Sequence, residues 1–407
     1  MYIYRINIQD FRHFLPIELV FPKEQQAGWF VLLGENGSGK TSLLRLIALN
    51  LLQQGEENND KISPHFITNQ TTEINISFQT EALGLVYQTI KLTHSINRKL
   101  NYINQEQWKS RESGNFSVAY GANRTLTNEF RTRENGQRNI DAHLSLFSNY
   151  YPLTDSLEWL KKLKAEASDL DIKEEVRDSA KKTLDKITLF LNRSTLLNGY
   201  AIEKITVNEI LIKDSNHVEI QLHELADGYR SILAMTLDIL YRMTYSFSIT
   251  NFLENIDTQN ATINLSGIVL IDEVDAHLHP SWQEQIGFQL KKHFPKLQFI
   301  VSTHSPLVCH AADVVWKLPK QGVENAKVIQ LNEIELGRLK YGNILESYET
   351  QAFAFVNTRS EAAQKKLQRL AFLNTQALRR KLTEEEKNEK NGLQQIFIGT
   401  NVYDAAK

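Results

Sequence analysis

The sequence has 407 residues, of which 42% are hydrophobic and 23% charged, with a formal net charge of −2. That length buries a large core and corresponds to about two or three domains. The near-neutral charge excludes a globally basic nucleic-acid or membrane-surface binder, so any basic surface must be local. The one cysteine, Cys309, excludes an intramolecular disulfide and a cysteine-rich zinc site, and it follows Leu307-Val308 as a buried, inert thiol would. A strand-like start carrying Arg5 and Asp10, with no apolar run of the ~18 residues a span needs, predicts a cytoplasmic protein without leader or membrane helix.

Residues 1–22 alternate with period two (Tyr2 to Ile8, then Ile17 to Phe21), which predicts strands of an antiparallel lobe. Trp29 to Leu33 is an apolar run of strand length, followed by Gly34-Glu35-Asn36-Gly37-Ser38-Gly39-Lys40-Thr41 and then by a helical stretch from Ser42. Every fixed position of Gly-x-x-x-x-Gly-Lys-[Ser/Thr] is matched, and the match sits between a strand and a helix. Backbone N–H groups of such a loop close around phosphates, and the helix N-terminus adds partial positive charge. Lys40 then reaches the β- and γ-phosphates, and Thr41 holds Mg²⁺.

After a polar loop from Gln53 to Asn69, Glu73–Phe78 and Leu85–Leu92 alternate again and extend the antiparallel lobe as a hairpin. Residues 91–138 carry nine Lys/Arg against four Glu, with Tyr102, Trp108, Phe116, Tyr120 and Phe130 interleaved. Such a stretch suits either a nucleic-acid backbone or a solvated face with core anchors. Val118–Tyr120 inside it reads as a strand that presents Arg124, at a place suited to phosphate sensing, an interface or plain surface. Leu157, Leu160, Leu163 and Ala167, then Val176, Ala180, Leu184, Ile187 and Leu191, predict a two-helix hairpin broken at Asp169–Asp171.

Strand alternation returns over 201–212 and 217–222. Glu224-Leu225-Ala226-Asp227-Gly228-Tyr229-Arg230-Ser231 then reads as a glycine turn before a helix from Ile232 to about Met243, a second anion site. Gly267-Ile268-Val269-Leu270-Ile271 is an apolar strand of the kind a covered parallel sheet requires, and it ends in Asp272-Glu273. Asp272 is placed to hold Mg²⁺ beside Thr41, and Glu273 to orient and deprotonate water. His277 and His279 stand two apart, but no further cluster completes a site of three or four metal ligands. Pro280-Ser281 opens a helix to His293, and Leu297 to Thr303 is a further apolar strand that ends in Thr303-His304-Ser305-Pro306. The order and spacing set this strand beside the Asp272 strand, so His304 points at the γ-phosphate.

These segments, in this order, resemble the ABC-type ATPase heads of the RecF, SMC and Rad50 group. The nearest branch is the OLD-like one labelled AAA_21, and the likeness spans roughly 1–320. The resemblance implies an α/β, P-loop NTPase fold with a mainly parallel core sheet, the antiparallel lobe, a helical hairpin insert and a C-terminal helix. The implied organisation is a head over 1–340, with its insert at about 150–195, and a helical extension over 341–407 as a docking region for a partner. The 232 positions between Lys40 and Asp272 suit a group that inserts helices there.

Carried over by residue, the resemblance implies ATP and Mg²⁺ as cofactors and Gly34, Glu35, Asn36, Gly37, Ser38, Gly39, Lys40, Thr41 and Ser42 as the phosphate site. Thr41 and Asp272 hold the metal, Glu273 is the general base and His304 the switch histidine, with Lys40 also catalytic. Leu225, Ala226, Asp227, Gly228 and Tyr229 form the signature segment that meets the nucleotide of a second subunit, so the implied state is a homodimer or higher homo-oligomer. Ala226 departs from the usual serine, which puts rapid hydrolysis in question, and His279 stands where such heads carry the D-loop aspartate.

OLD nucleases continue into a Toprim domain. Here Tyr341–Lys407 offers a helix from about Ser360 to Glu386 with the stripe Leu367, Leu370, Leu373 and Leu378. Members of this kind work beside a separate nuclease or toxin in anti-phage systems such as Septu, PARIS and some retrons. The expectation is an ATPase controlling a separately encoded effector. The competing expectations are a RecF-like repair ATPase that binds DNA through 91–138, and a slowly hydrolysing nucleotide-gated scaffold.

Overall fold

The computed structural model describes residues 1–9, 16–52, 72–80, 84–92, 101–105, 115–124, 139–148, 151, 153, 155–207, 209–320, 327–342 and 361–397. Two compact units divide the chain, Met1–Ile344 and Leu345–Lys407.

The first unit is built on two sheets. One is antiparallel, in the order β2-β1-β4-β5-β6, from β1 (Tyr2–Gln9), β2 (Ile17–Val20), β4 (Thr72–Thr80), β5 (Gly84–Leu92) and β6 (Asn101–Gln105). It is the lobe that period-two alternation predicts. The other has six strands in the order β16-β15-β3-β14-β13-β7: β3 (Gly28–Leu33), β7 (Ser117–Tyr120), β13 (Gly267–Ile271), β14 (Leu297–Thr303), β15 (Val314–Lys317) and β16 (Ile329–Gln330). All its pairings are parallel except β15 with β16. Every residue of β3, β13 and β14 is buried, because a parallel sheet is covered on both faces. Strand β14 does pair with β13 in parallel, as the spacing predicts.

Helix α1 (Lys40–Leu51) is buried along most of its length and shares one apolar core with β1, β2, β3 and Trp316. Phe21 packs edge-on against Phe30 and Trp316 within that core. The two sheets are stitched by one buried amide. Gln298 on β14 accepts from Ile3 N (2.7 Å) and donates to Ile3 O (2.9 Å). Gln298→Leu strips both bonds while keeping the volume. It is expected to lower unfolding free energy by about 2–4 kcal/mol, measured by urea denaturation, because buried peptide groups would lose their partners.

Helix α2 (Leu144–Phe147) packs on β7. Helices α3 (Asp155–Ser168) and α4 (Glu174–Arg193) form the hairpin that helical spacing predicts, and α4 buries Ala180, Leu184, Ile187 and Leu191. Val176 leaves the stripe and is exposed, since it lies in the first turn beyond the reach of its neighbours. A small sheet of β8 (Ala201–Ile205), β9 (Ile210–Lys213) and β10 (Glu219–Gln221) leads into α5 (Asp227–Ser246). Helix α6 (Ile249–Asn255) and the two-residue strands β11 (Ile256–Asp257) and β12 (Thr262–Ile263) follow. Next come α7 (Pro280–His293), with proline at its first turn and Lys291, Lys292 and His293 in its last, and α8 (Glu333–Tyr341).

Two helix expectations are corrected. Helix α5 starts five residues earlier than Ile232, so Gly228 is a helical residue and not a turn. A Cβ there would stand 2.7 Å from the His277 carbonyl oxygen, so close packing is what demands glycine. The single C-terminal helix is instead two, α9 (Glu361–Arg379) and α10 (Glu384–Ile396). Thr383 breaks it: its side chain accepts from Glu386 N, and the Glu386 carboxylate accepts from Thr383 N, a reciprocal cap that starts a new helix. Leu370 and Leu373 of α9 pack with Leu393 and Phe397, whereas Leu378 is exposed.

Arg380 and Arg369 pair with Glu386 and Glu389 in this unit. Hydrogen bonding to Arg380 draws the Glu386 carboxyl from its ordinary 4.5 down to about 2. A carboxylate held low in the folded state adds stability above its ordinary value, and that stability is lost as pH falls toward the folded one. Amide exchange over 361–397 is therefore expected to quicken as pH drops from 4.5 toward 2, after correction for intrinsic rates. Glu386→Gln is expected to weaken that dependence, the remainder coming from Glu389, which its hydrogen bond to Arg369 also holds low.

Candidate functional site

The four strands β3, β14, β13 and β7 run parallel, so their C-terminal ends share one edge of the sheet. Every site segment except Leu225–Tyr229 leaves from that edge, which is where open α/β sheets bind ligands.

From β3 the chain enters Gly34–Thr41. Gly37 (φ 78°) and Gly39 (φ 94°) are left-handed, a conformation that lets the loop curl and α1 begin directly at Lys40. Ser38 is buried and fits only because Gly34 lacks a side chain: a Cβ on Gly34 would come within 2.5 Å of Ser38 Oγ. The Lys40 ammonium donates to the carbonyl oxygens of Gly34 (2.7 Å) and Glu35 (2.9 Å), lying across the mouth of the loop. Burial lowers its pKa, while Glu273, Asp272, Asp275 and Glu35 act in the opposite sense. Glu35 pairs at the rim with Lys320 (2.8 Å), and Asn36 and Gly37 are exposed.

From β13 comes the acidic turn. Asp272 is buried and accepts from Thr41 Oγ1 (2.8 Å) and Ser302 Oγ (2.5 Å). The backbone N–H of Glu273 donates to the same Ser302 Oγ (2.8 Å), and Glu273 itself is left-handed at φ 44°. A non-glycine residue in that region is strained and held by its surroundings. From β14, Thr303 Oγ1 donates to Asp275 Oδ1 (2.6 Å), and His304 Nδ1 stands 3.0 Å from Asp275 Oδ2. Asp275 is buried, whereas the His304 side chain is 58% exposed, so the carboxylate aims an imidazole that faces solvent. Asp275 and Ser302 belong to the site as second partners. Sequence reading gives neither a role, because no spacing rule pairs Asp275 with a residue 28 or more positions away.

The residues present fit a nucleotide with its metal. Ser38 Oγ is buried without a hydrogen-bond partner, Lys40 rests on carbonyls it would exchange for phosphate oxygens, and Thr41 and Asp272 face each other through oxygen atoms. Hydroxyl and carboxylate oxygens are the donors Mg²⁺ prefers.

Leu225–Tyr229 lies elsewhere. Leu225 is buried and Ala226 and Asp227 are exposed. Tyr229 OH accepts from Asn198 Nδ2 (2.9 Å), and its ring meets Tyr200 and Trp282 edge-on. Among the described residues no hydrogen bond or ion pair joins this segment to Gly34–Thr41 of the same chain. His277 is left-handed (φ 64°) against Gly228, and the His279 ring accepts from Ser281 N as the cap of α7. Cys309 is buried, and burial pushes its thiol up. Of the readings for Arg124, plain surface is corrected: the side chain is 4% exposed and bonds to the backbone of the acidic turn. The stretch 91–138 lies mostly outside the described residues. No helix among the described residues is long and apolar enough to cross a membrane.

Residues 30–309 match the family model described as "AAA domain, putative AbiEii toxin, Type IV TA system". The chain belongs to this family. Within the match lie the phosphate loop from Gly34, the acidic turn and His304. The chain is 31% identical over 312 residues to the Septu protein PtuA of Bacillus mycoides (strain KBAB4), an alignment over 75% of this chain and 38% of that protein. It thus spans well under half the length of that relative. It is also 27% identical over 443 aligned positions to the Retron Ec83 probable ATPase of Escherichia coli, covering 86% of this chain and 80% of that one. Among solved structures, an SMC head bound to the C-winged helix domain of ScpA aligns over 82% of this chain and 98% of its own, with 16% identity and a TM-score of 0.48.

Proposed function

We propose that this chain is a Mg²⁺-dependent ATPase in which two copies clasp ATP between them, and that the clasped state controls a separately encoded nuclease or toxin in anti-phage defence. One observation carries the ATPase reading. Thr41, Asp272, Glu273 and His304 converge from three neighbouring strands on one edge of the sheet, with Lys40 across the loop mouth. The relatives named as a Septu protein and a retron ATPase support the setting.

In this reading, amides of Gly34–Ser42 and the Lys40 ammonium bind the phosphates. Bound Mg²⁺, held by Thr41 and Asp272, would neutralise charge on the phosphate oxygens. Glu273, strained toward the loop, takes a proton from the attacking water. His304, aimed by Asp275, donates to the transferred phosphoryl group. Ala226 and Asp227, exposed in this chain, are the residues a second copy would present to this nucleotide. Ala226 lacks the hydroxyl donor, so hydrolysis is slow and bound ATP acts as a clamp.

Purification from the native operon in Mg²⁺-ATP tests the whole reading. A dimer or larger species carrying the product of an adjacent gene is expected, and a monomer carrying none would reject it. Salt-dependent DNA binding lost on Arg131→Ala with Arg133→Ala would favour the repair alternative instead.

A further inference from the structure

We propose that Arg124 is the positioning residue of the hydrolytic turn: its guanidinium sets the backbone of Asp272–Glu273 and ties it to the helix that begins with the Leu225–Tyr229 segment. This inference rests on the reading of Glu273 as the base.

The guanidinium makes four hydrogen bonds from its three nitrogens. One terminal nitrogen donates to the carbonyl oxygens of Gly121 (3.0 Å) and Asp272 (2.8 Å). The other terminal nitrogen donates to the Glu273 carbonyl oxygen (3.1 Å). Nε donates to Ser231 Oγ on α5 (3.1 Å). Successive carbonyls of an extended strand point to opposite sides. Here the carbonyls of Asp272 and Glu273 face the same fork, as the left-handed φ of Glu273 requires. Only a planar guanidinium spans two adjacent acceptors and a third direction at once, whereas a lysine ammonium is a point charge on a flexible stem.

The charge balance agrees. The guanidinium, which stays protonated in proteins, lies among the carboxylates of Asp272, Asp275 and Glu273. It therefore offsets three acids gathered at one turn.

The connection to α5 has two points. Arg124 reaches Ser231, one turn into the helix, and Gly228 rests on the His277 carbonyl, five positions after Asp272. The first turn of α5 and the segment 272–277 are thus joined at two places. When a nucleotide on a second copy engages Ala226–Tyr229, the displacement is passed to Glu273 through Arg124. A merely packed arginine would not couple the two.

The test uses the full-length protein with Arg124→Lys, Ser231→Ala and the double variant. Mg²⁺-ATP affinity is read by equilibrium binding, turnover by phosphate release, and local opening by amide exchange of 272–276 without nucleotide. For Arg124→Lys the expected result is affinity within about 3-fold of the parent, kcat down at least ~30-fold, and exchange of 272–276 faster by ~10-fold. Ser231→Ala, a small change that retains the carbonyl bonds, is expected to lower kcat about 3- to 10-fold alone and to add nothing to Arg124→Lys. Unchanged exchange at 272–276 in Arg124→Lys, or equal loss of affinity and kcat, would overturn the positioning role. Additive effects of the two substitutions would overturn the link to α5. If Arg124→Lys does not fold, Ser231→Ala decides alone, since unchanged exchange and kcat in it rejects the link. A parent protein without ATPase activity would refute the parent reading, while the exchange measurement still decides the role of Arg124.

Discussion

Glu273→Gln is expected to cut ATP turnover by about 10²- to 10⁴-fold, the usual worth of a positioned general base, while leaving ATP bound. The amide keeps the shape of the side chain and its backbone bond to Ser302 Oγ (2.8 Å), so the strained turn survives. Among the described carboxylates of the turn it removes the one without such partners, because Asp272 is occupied by Thr41 and Ser302, and Asp275 by Thr303 and His304. ATP is then held and not consumed. In light scattering the variant is expected to be dimeric or larger in Mg²⁺-ATP at concentrations where the parent dissociates. Unchanged turnover would remove Glu273 from the base role. Lost turnover without any larger species would keep the base and reject the clamp.

Lys40→Ala acts one step earlier, on nucleotide binding. The ammonium is buried in a loop beside Glu273, Asp272, Asp275 and Glu35, so it is the near cation that lets a triphosphate approach acids. Removing one partner of a buried, hydrogen-bonded charge interaction costs about 2–5 kcal/mol, which is roughly 30-fold to several thousand-fold in Kd. Equilibrium titration with a fluorescent ATP analogue should read a loss in that range. The fold should persist, since Lys40 bonds only to carbonyls of its own loop. Retained affinity would contradict the central assignment of Gly34–Thr41.

The contrast between these two residues and Arg124 shows where sequence reading succeeds. Lys40 is fixed by a complete eight-residue motif between an apolar run and a helix, and Glu273 follows directly on an apolar run, so both are located without any distant partner being known. Arg124 lies four residues beyond such a run, β7, but its importance comes from Asp272, Glu273 and Ser231, which lie 107 to 149 positions away. Periodicity carries no information at that range. The same holds for Gln298, whose amide bonds to the backbone of Ile3, 295 positions away. The C-terminal helices show a local failure: the apolar stripe is read, yet the Thr383–Glu386 cap that divides it has the plain Thr-x-x-Glu signature and was legible.

By itself, then, the sequence determined what local chemistry determines: the glycine loop between β3 and α1, the acidic strand end, His304 after its strand, the antiparallel lobe and the α3–α4 hairpin. Each depends on the residue types within some ten positions of chain. Only the tertiary structure decided that Asp275 aims His304, that Ser302 holds both Asp272 and the Glu273 amide, that Gly228 is helical, and that Arg124 binds the acidic turn to α5. Those facts require the register of parallel strands drawn from distant parts of the chain, and register is set by packing of buried faces, which no short segment contains.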